Sequence, residues 1–430
     1  MTSAAATEIA AAVSGTATFP VHQTPLGCSL RRVVMSAHEA TPLSAEVQRR
    51  WLRRMEPRDP HQAHRVATPL ELLFDLCFVV AVAYAAGELH HGLAEGHYSI
   101  LVNYGMVFFA IWWAWLNFAW FASAYDTDDV PYRLTVLLQI AGVLLLAAGV
   151  PPACEAHDFT FITLGYTIMR LGLVAHWLRA AQSDPTRRKT ALRYAGGISV
   201  LQLAWLALLA VPHSVWIKGW FVLLPAELLL PVWAEKAGGT SWHPHHIAER
   251  YGLLTLIVLG ESVLSATSAV RSSVEAHSLS LPMLGLIAGG LLLLFSMWWI
   301  YFEQDAAKLL EENPGVGFLW GYGHLMIFAA AAAVGAGLGV AVDAVNGHNH
   351  LPGWAVASPV TAPVALYVLS VWVLQIRPLH HGQKLGAAFG ACALLVLLCS
   401  CTLWGVLGSG LLLALLVVFM TKQQAAQNLA

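Results

Sequence analysis

Two short patches of the sequence combine carboxylates with apolar residues in a pattern that could hold protons or cations. The first patch, residues 68–75, reads TPLELLFD and contains Glu71 and Asp75. The second patch, residues 246–253, reads HIAERYGL and contains Glu249. Each carboxylate lies at or just inside the start of a long apolar segment, where an ionised group costs several kcal/mol. We therefore treat these patches as the candidate site.

The acids of the first patch are spaced to act together. Glu71 and Asp75 are four residues apart, so they share one helix face, with Asp75 about 6 Å deeper along the helix axis. Two charged carboxylates at this distance repel one another, and we expect the pair to share a proton or to bind a cation. The structural alternative is that Glu71 merely favours the start of a helix after Pro69.

An acid and a base lie deeper in the apolar segments. Glu261 lies about 18 Å beyond Glu249 along one predicted helix, and Arg170 lies near the middle of another apolar segment. Because a guanidinium does not lose its proton in proteins, Arg170 requires a carboxylate or an anionic ligand. Glu261 is its first predicted partner and Glu227 its second, and a purely structural ion pair is an equal alternative.

Histidines near the second patch could relay protons. His245 and His246 precede Glu249 by four and three residues, spacings that can also hold zinc on one helix face. Pro244 interrupts the run and no H-E-x-x-H motif is present, so a metal site is the weaker hypothesis and a structural role the simplest one. His324 is a second candidate relay, with a hydrogen-bonded structural role as its alternative.

Membrane-spanning helices are the elements that must position these residues. Of the 430 residues, 57% are hydrophobic and 11% are charged, whereas soluble domains carry about 25% charged residues. The apolar runs are continuous and long enough for helices, unlike the alternating pattern of transmembrane strands. A net charge of −2 argues against a nucleic-acid partner. The sequence therefore predicts an all-α polytopic membrane protein.

A window of about 20 residues predicts about twelve transmembrane helices. The last two could instead form one helix kinked at 408–410. With the N-terminus cytoplasmic, 20 of the 23 Lys and Arg residues fall inside, the exceptions being Arg170, Lys218 and Arg271, which satisfies the positive-inside rule. The predicted spans are 70–91, 100–123, 133–150, 159–179, 194–211, 215–234, 247–269, 281–302, 316–341, 358–376, 385–402 and 404–421.

The two halves of the chain share features that predict two parallel six-helix repeats. Glu71 opens the first predicted span and Glu249 the seventh, and a Trp-rich span follows each. Transporters often place a central site between such repeats, although aromatic belts and inner acids recur in any polytopic protein. The predicted organisation is a disordered and then basic juxtamembrane segment, the two repeats and a cytoplasmic tail, at 1–66, 67–236, 237–421 and 422–430. Anionic lipid is the expected partner of the basic stretch at Arg49–Arg54.

The two patches also resemble the signatures of a known family. Residues 69–76, PLELLFDL, resemble the opening signature of the bacterial low-temperature-requirement A proteins, and residues 246–252, HIAERYG, leading into VLGES at 258–262, resemble their second signature. The likeness covers roughly 65–421. It implies a multi-pass inner-membrane protein with a role in growth in the cold, without an established substrate. The core polar positions that it implies are Glu71, Asp75, His246, Glu249, Arg250 and Glu261.

Three classes of function follow, of which we favour a secondary transporter coupled to protons or cations. A membrane-embedded enzyme acting on lipid or another apolar substrate would use the histidines for acid–base work, but no nucleophile–base pair is recognisable. A cold-growth sensor or scaffold would need the acids only for folding. No cofactor is predicted. The candidate coupling residues are Glu71, Asp75, Arg170, Glu227, Glu249, Arg250 and Glu261, and the candidate relays are His246 and His324.

Overall fold

The computed structural model describes residues 51–60, 62, 65–275, 280–379, 383–402 and 404–428. The segment predicted to be disordered, together with Arg49 and Arg50, lies outside the described residues. Within these ranges the chain forms helices and no strand. The helices are α1 (Pro69–Ala94), α2 (Ile100–Tyr125), α3 (Val130–Ala148), α4 (Val150–Glu155), α5 (Thr160–Ser183), α6 (Arg188–Leu208), α7 (His213–Glu235), α8 (Pro244–Glu275), α9 (Leu281–Phe302), α10 (Ala306–Glu312), α11 (Gly317–Val345), α12 (Gly353–Val371, continued by a π-helical turn at Trp372–Ile376), α13 (Gln383–Leu398) and α14 (Gly405–Asn428).

Eleven helical segments of the described residues are long and apolar enough to cross a membrane, which confirms the all-α polytopic fold. They correspond to eleven of the twelve predicted spans. The predicted span 247–269 is not among them, but it lies within α8, a continuous helix of 32 residues and thus about 48 Å long. A 3-10 turn at Cys399–Cys401 separates α13 from α14, so the last two predicted spans are distinct helices. The repeat itself stays a prediction.

The start of α1 shows why the first patch forms a helix. The Glu71 N–H donates to the Thr68 hydroxyl (3.3 Å), and the Thr68 N–H donates to the Glu71 carboxylate (2.8 Å). This reciprocal arrangement is a capping box, and Pro69 occupies the first helical position, where its missing N–H costs nothing. Glu71 therefore has the helix-starting role that was its structural alternative, in addition to any role in the site.

The helix ends nearest the basic residues meet at one end of the molecule, which we call the basic end. Arg58 pairs with Asp126 after α2 (2.9 Å), and Arg65 donates to the carbonyl oxygen of Ala122 (2.6 Å). Arg187, before α6, donates to the carbonyl oxygen of Gly239, before α8 (3.0 Å). The start of α8 lies beside the start of α1, where the Ala67 N–H donates to the Glu249 carboxylate (3.1 Å).

Helices α1, α8 and α11 pack against one another in the middle of the molecule. Ser262 of α8 donates to the carbonyl oxygen of Ala331 in α11 (3.0 Å). A Cβ atom at Gly335 would lie 2.8 Å from the Ser262 hydroxyl, so only glycine permits this approach. Small residues at such contacts let transmembrane helices pack closely, and here they bring Glu261 of α8 close to α11.

Candidate functional site

The two sequence patches meet around the fully buried guanidinium of Arg250, in the second turn of α8. Arg250 donates from Nε and Nη2 to the two carboxylate oxygens of Asp75 (2.8 and 2.5 Å) and from Nη1 to Glu71 (3.0 Å). The indole Nε1 of Trp115 in α2 also donates to Asp75 (2.7 Å). The cation expected between Glu71 and Asp75 is therefore a side chain of the protein itself. This arrangement links α1 firmly to α8.

Two further residues of the second patch complete this cluster. His246 Nε2 lies 3.1 Å from Glu71 Oε1, with both side chains buried. Glu249 points toward the chain before α1, where its carboxylate accepts from the Ala67 N–H (3.1 Å). Five of the six polar positions implied by the family resemblance thus lie together, and Glu261 lies elsewhere. The inner cluster consists of Glu71, Asp75, His246, Glu249 and Arg250.

Two carboxylates in the loop after α2 carry opposite pKa shifts. Burial raises the pKa of Asp126, despite its pair with Arg58. Burial acts in the same direction on Asp129, but hydrogen bonds from the Arg179 side chain and the Arg53 N–H outweigh it and hold the pKa of Asp129 below its usual value. A lowered folded-state pKa stabilises the fold while the carboxyl is ionised, so this contribution is lost as the pH falls through that pKa.

Arg170 pairs with Glu227, the second of its predicted partners, and not with Glu261. The Arg170 Nη2 donates to the Glu227 carboxylate (2.6 Å), which also accepts from the indole Nε1 of Trp113 (3.0 Å) and of Trp205 (2.8 Å). Arg170 and Glu227 are both buried. The predicted depths of Arg170 and Glu261 match, but depth does not show which helices are neighbours, and here α5 adjoins α7. The deep Glu261–Arg170 site that the sequence predicts is absent from the described residues.

An aromatic cavity of about 50 Å³ lies beside this ion pair. The Arg170 guanidinium stacks over the ring of Tyr166 (4.7 Å), and Trp216 and Trp220 line the wall. The Gln202 amide donates to the Thr167 hydroxyl (2.6 Å). Since one ordered water needs about 10–15 Å³, the cavity has room for a few waters and no larger solute in this conformation.

Glu261 lies in a different cavity, of about 510 Å³, between α1, α8 and α11. Its wall includes His90 of α1 and Asp343 of α11, joined by a contact of 2.7 Å between His90 Nε2 and an Asp343 carboxylate oxygen. His348, in the loop after α11, lines the mouth. Glu261 is half-buried and forms no ion pair with any residue that the structure describes. We call this space the Glu261 cavity; it lies toward the end of the molecule opposite the basic end.

The two remaining histidine candidates have structural surroundings. His324 is fully buried, with Nδ1 2.7 Å from the Trp320 carbonyl oxygen and Nε2 3.1 Å from the Tyr301 hydroxyl. His245 pairs with Glu311 of α10 (3.0 Å) and not with Glu249. No group of three or more His, Cys, Asp or Glu residues in the described ranges is arranged to hold a metal ion. The weak metal hypothesis for His245, His246 and Glu249 therefore gains no support.

Sequence analysis does not bring out the pair of His90 and Asp343. The two residues are 253 positions apart, and neither belongs to a signature patch. The only signal in the sequence is that each lies near the far end of a predicted span, with other polar residues close by. Such positions are usually solvated interfaces, so the pair emerges only when α1 and α11 are seen side by side.

Comparison with known proteins identifies the family of this chain. The model of the family described as bacterial low temperature requirement A protein (LtrA) matches residues 66–421. The chain belongs to the LtrA family. A relative from Rhizobium meliloti (strain 1021), the uncharacterized protein RA0937, is 27% identical over 311 residues, which cover 68% of this chain and 73% of the relative. Both patches that form the inner cluster of this LtrA protein lie inside the matched range.

Proposed function

We propose that this LtrA protein is a secondary transporter in which Glu261 carries the coupling proton or cation. The observation that carries the proposal is the Glu261 cavity, whose volume of about 510 Å³ is ample for water and small ions. An ionised carboxylate at this depth is costly without a partner. When a movement of the helices takes the Glu261 carboxylate out of contact with water, the carboxylate must therefore bind a proton or a cation. Binding of that ion is thereby coupled to the movement of the helices.

The packing on the other side of Glu261 supports alternating access. Arg250 lies about 16 Å from Glu261 along α8. Between them, Leu254 and Val258 of α8 and Phe78 of α1 are at most 4% exposed, so tightly packed apolar side chains separate Glu261 from Arg250. A cavity on one side of a packed apolar layer is what one state of a transporter that alternates access would show.

The inner cluster is consistent with this proposal if it serves as a fixed structural contact between α1 and α8. Arg250 is hydrogen-bonded to both Asp75 and Glu71, and these three side chains are buried, so the cluster suits a fixed contact better than an exchangeable ion site. The enzyme alternative gains less support, because His246 and His324 are both fully buried and lie outside the Glu261 cavity. A lipid-modifying enzyme would need one of them exposed to its substrate.

Location and orientation are part of the proposal. The family name and the apolar helices support a bacterial membrane, and the positive-inside rule places the basic end, with Arg58, Arg65 and Arg187, in the cytoplasm. Both termini are then cytoplasmic, and the Glu261 cavity opens to the outside of the inner membrane. A proton drawn down the gradient would enter on that side.

A pH-jump measurement on solid-supported membranes tests the role of Glu261. Proteoliposomes containing the full chain are switched from pH 7.5 to pH 6, and in separate runs only the concentration of Na⁺ or of K⁺ is changed. The transient current is recorded in each run. We expect a current from wild type, its loss in Glu261→Gln, and its retention in Glu95→Gln, a matched change at an exposed carboxylate. Equal currents from wild type and Glu261→Gln, with both proteins folded, would overturn the proposal.

A further inference from the structure

An open groove of about 950 Å³ runs between α6 and α7 on the outer surface of the helices, starting at the basic end. It is separate from the inner cluster, from the Glu261 cavity and from the Arg170–Glu227 pair. The groove combines a cationic rim with an apolar floor. This combination has no role in the transport proposal. It suits a ligand that has both an anionic and an apolar part.

The rim of the groove is formed by Arg188, Lys189 and Arg193. Arg188 and Lys189 are the first two residues of α6 and are exposed, and neither forms an ion pair with a described residue. Arg193 donates to the Trp233 carbonyl oxygen (2.9 Å) and stacks over the Trp233 ring (4.9 Å), which fixes its guanidinium at the rim. The groove lining contains no carboxylate, so these charges are uncompensated.

A neighbouring cation shows what compensation looks like at this end of α6. Arg187 pairs with Asp184 (3.3 Å) and donates to the Gly239 carbonyl oxygen. Its charge is therefore used within the protein. No described contact joins Asp184 to the cations of the rim. These cations lie near the N-terminus of α6, where the helix dipole is also positive. The rim thus favours an anionic group from outside the protein.

The floor of the groove is apolar and shallow on one side. A Cβ atom at Gly196 would meet no atom within 4 Å, so the backbone of α6 leaves open space there. Val200 (66% exposed) and Leu229 (62% exposed) continue the apolar surface. Val200 lies about 18 Å from Arg188 along α6, close to the half-thickness of about 15 Å of a hydrocarbon core.

We propose that this groove binds one anionic phospholipid. Its phosphate lies against Arg188, Lys189 and Arg193, and one acyl chain runs over Gly196 toward Val200. Basic pockets between transmembrane helices at the cytoplasmic face bind acidic headgroups in this way. A free phosphate would use only the rim, and a second copy of this chain would have to supply carboxylates to the rim; only a lipid matches the rim and the floor together.

Lipid binding to the purified full chain tests the proposal. Native mass spectrometry compares the binding of phosphatidylglycerol with that of phosphatidylcholine of the same acyl chains, and inorganic phosphate serves as a headgroup-only competitor. We expect phosphatidylglycerol to bind preferentially. The double change Arg188→Gln with Lys189→Gln should lower that preference about 30-fold, because it removes two rim charges that bear no internal contact.

A second variant tests the floor independently of the charges. Gly196→Leu should block the acyl chain and weaken binding of both lipids, and the Cβ atom that it adds meets no other atom within 4 Å. Gly105→Leu is the matched control, since Gly105 is an exposed helical glycine of α2 that also has open space around it, and it should bind lipid like wild type. Folding of each variant is verified by thermal unfolding before the comparison.

Four results would overturn the proposal. These are equal binding of the two lipids by wild type, unchanged phosphatidylglycerol binding in Gly196→Leu, displacement of the lipid by inorganic phosphate at comparable concentrations, and a dimer in wild type that Gly196→Leu converts to monomer. The third would identify a free anion and the fourth a second copy as the occupant. Transport currents play no part in these measurements, so the lipid proposal stands or falls apart from the transport proposal.

Discussion

At the scale of the residue, Arg250 is the cation that holds the two buried carboxylates of the inner cluster together. It makes hydrogen bonds to two carboxylates, Asp75 and Glu71, and all three side chains are buried. The family signature marks Arg250 as a core polar position, but its partners follow only from the contact between α1 and α8. Breaking a buried ion pair from one side leaves charges without compensation, which is more damaging than removing the whole set.

Replacement of Arg250 by methionine should therefore destabilise the protein strongly. We expect Arg250→Met to lower the free energy of unfolding by about 3–5 kcal/mol, measured by thermal unfolding in detergent. The triple change Glu71→Gln, Asp75→Asn and Arg250→Met should recover most of that loss because no charge stays buried. Arg133→Gln, which removes an exposed partner of Asp128, is the control and should unfold near wild type. A single Arg250→Met variant as stable as this control would contradict the role assigned to Arg250.

At the scale of the element, α3 and α5 show how the helices are held together without a hydrophobic driving force. A Cβ atom at Gly165 of α5 would lie 2.6 Å from the Gly142 carbonyl oxygen and 2.6 Å from the Leu146 nitrogen of α3. The two backbones are therefore in direct contact, as in other close crossings of transmembrane helices. Because Arg170 follows one turn later on α5, this contact also sets the position of its pair with Glu227.

A methyl group at this crossing should force the helices apart. We expect Gly165→Ala to lower the unfolding free energy by about 1–3 kcal/mol, the usual cost of overpacking, although alanine favours a helix more than glycine does. Thermal unfolding of Gly165→Ala and of Gly105→Ala provides the comparison, since the second change adds the same methyl group in open space. Equal melting temperatures for the two variants would show that the crossing tolerates separation.

At the scale of the whole molecule, the distribution of basic residues and the pairing of helix ends support the proposed orientation in the membrane. The ends that carry Arg58, Arg65 and Arg187 lie together, and the loop containing His97 joins α1 to α2 at the opposite end. An even number of crossings would place both termini on the same side. On the positive-inside rule we propose that the basic end is cytoplasmic.

Cysteine labelling in intact cells tests this orientation. In a background without the six native cysteines, we expect His97→Cys to react with a membrane-impermeant maleimide from outside. Lys236→Cys, in the loop between α7 and α8, should react only after permeabilisation, and both positions are exposed, so access to solvent does not distinguish them. The reverse pattern would invert the molecule and with it the side on which the Glu261 cavity opens.

The sequence by itself determined the all-α membrane fold and eleven of its spans, and it predicted which polar residues to examine as a site. Span length and hydropathy are local properties, because each stretch of about 20 apolar residues must satisfy its own backbone in lipid. The cost of buried charge likewise drew attention to Glu71 and Asp75 within their own segment, whereas Arg250 was indicated only by the family resemblance. These conclusions needed no knowledge of which helices are neighbours.

Only the tertiary structure decided the partners. Arg250 meets Glu71 across 179 positions of the chain, and Arg170 meets Glu227 across 57, whereas depth matching had favoured Glu261 for Arg170. Hydropathy fixes how deep a residue lies but not which way its helix faces or which helix lies opposite. That information comes from side-chain packing between helices, and it separated Glu261 from the inner cluster and placed it in a cavity of its own.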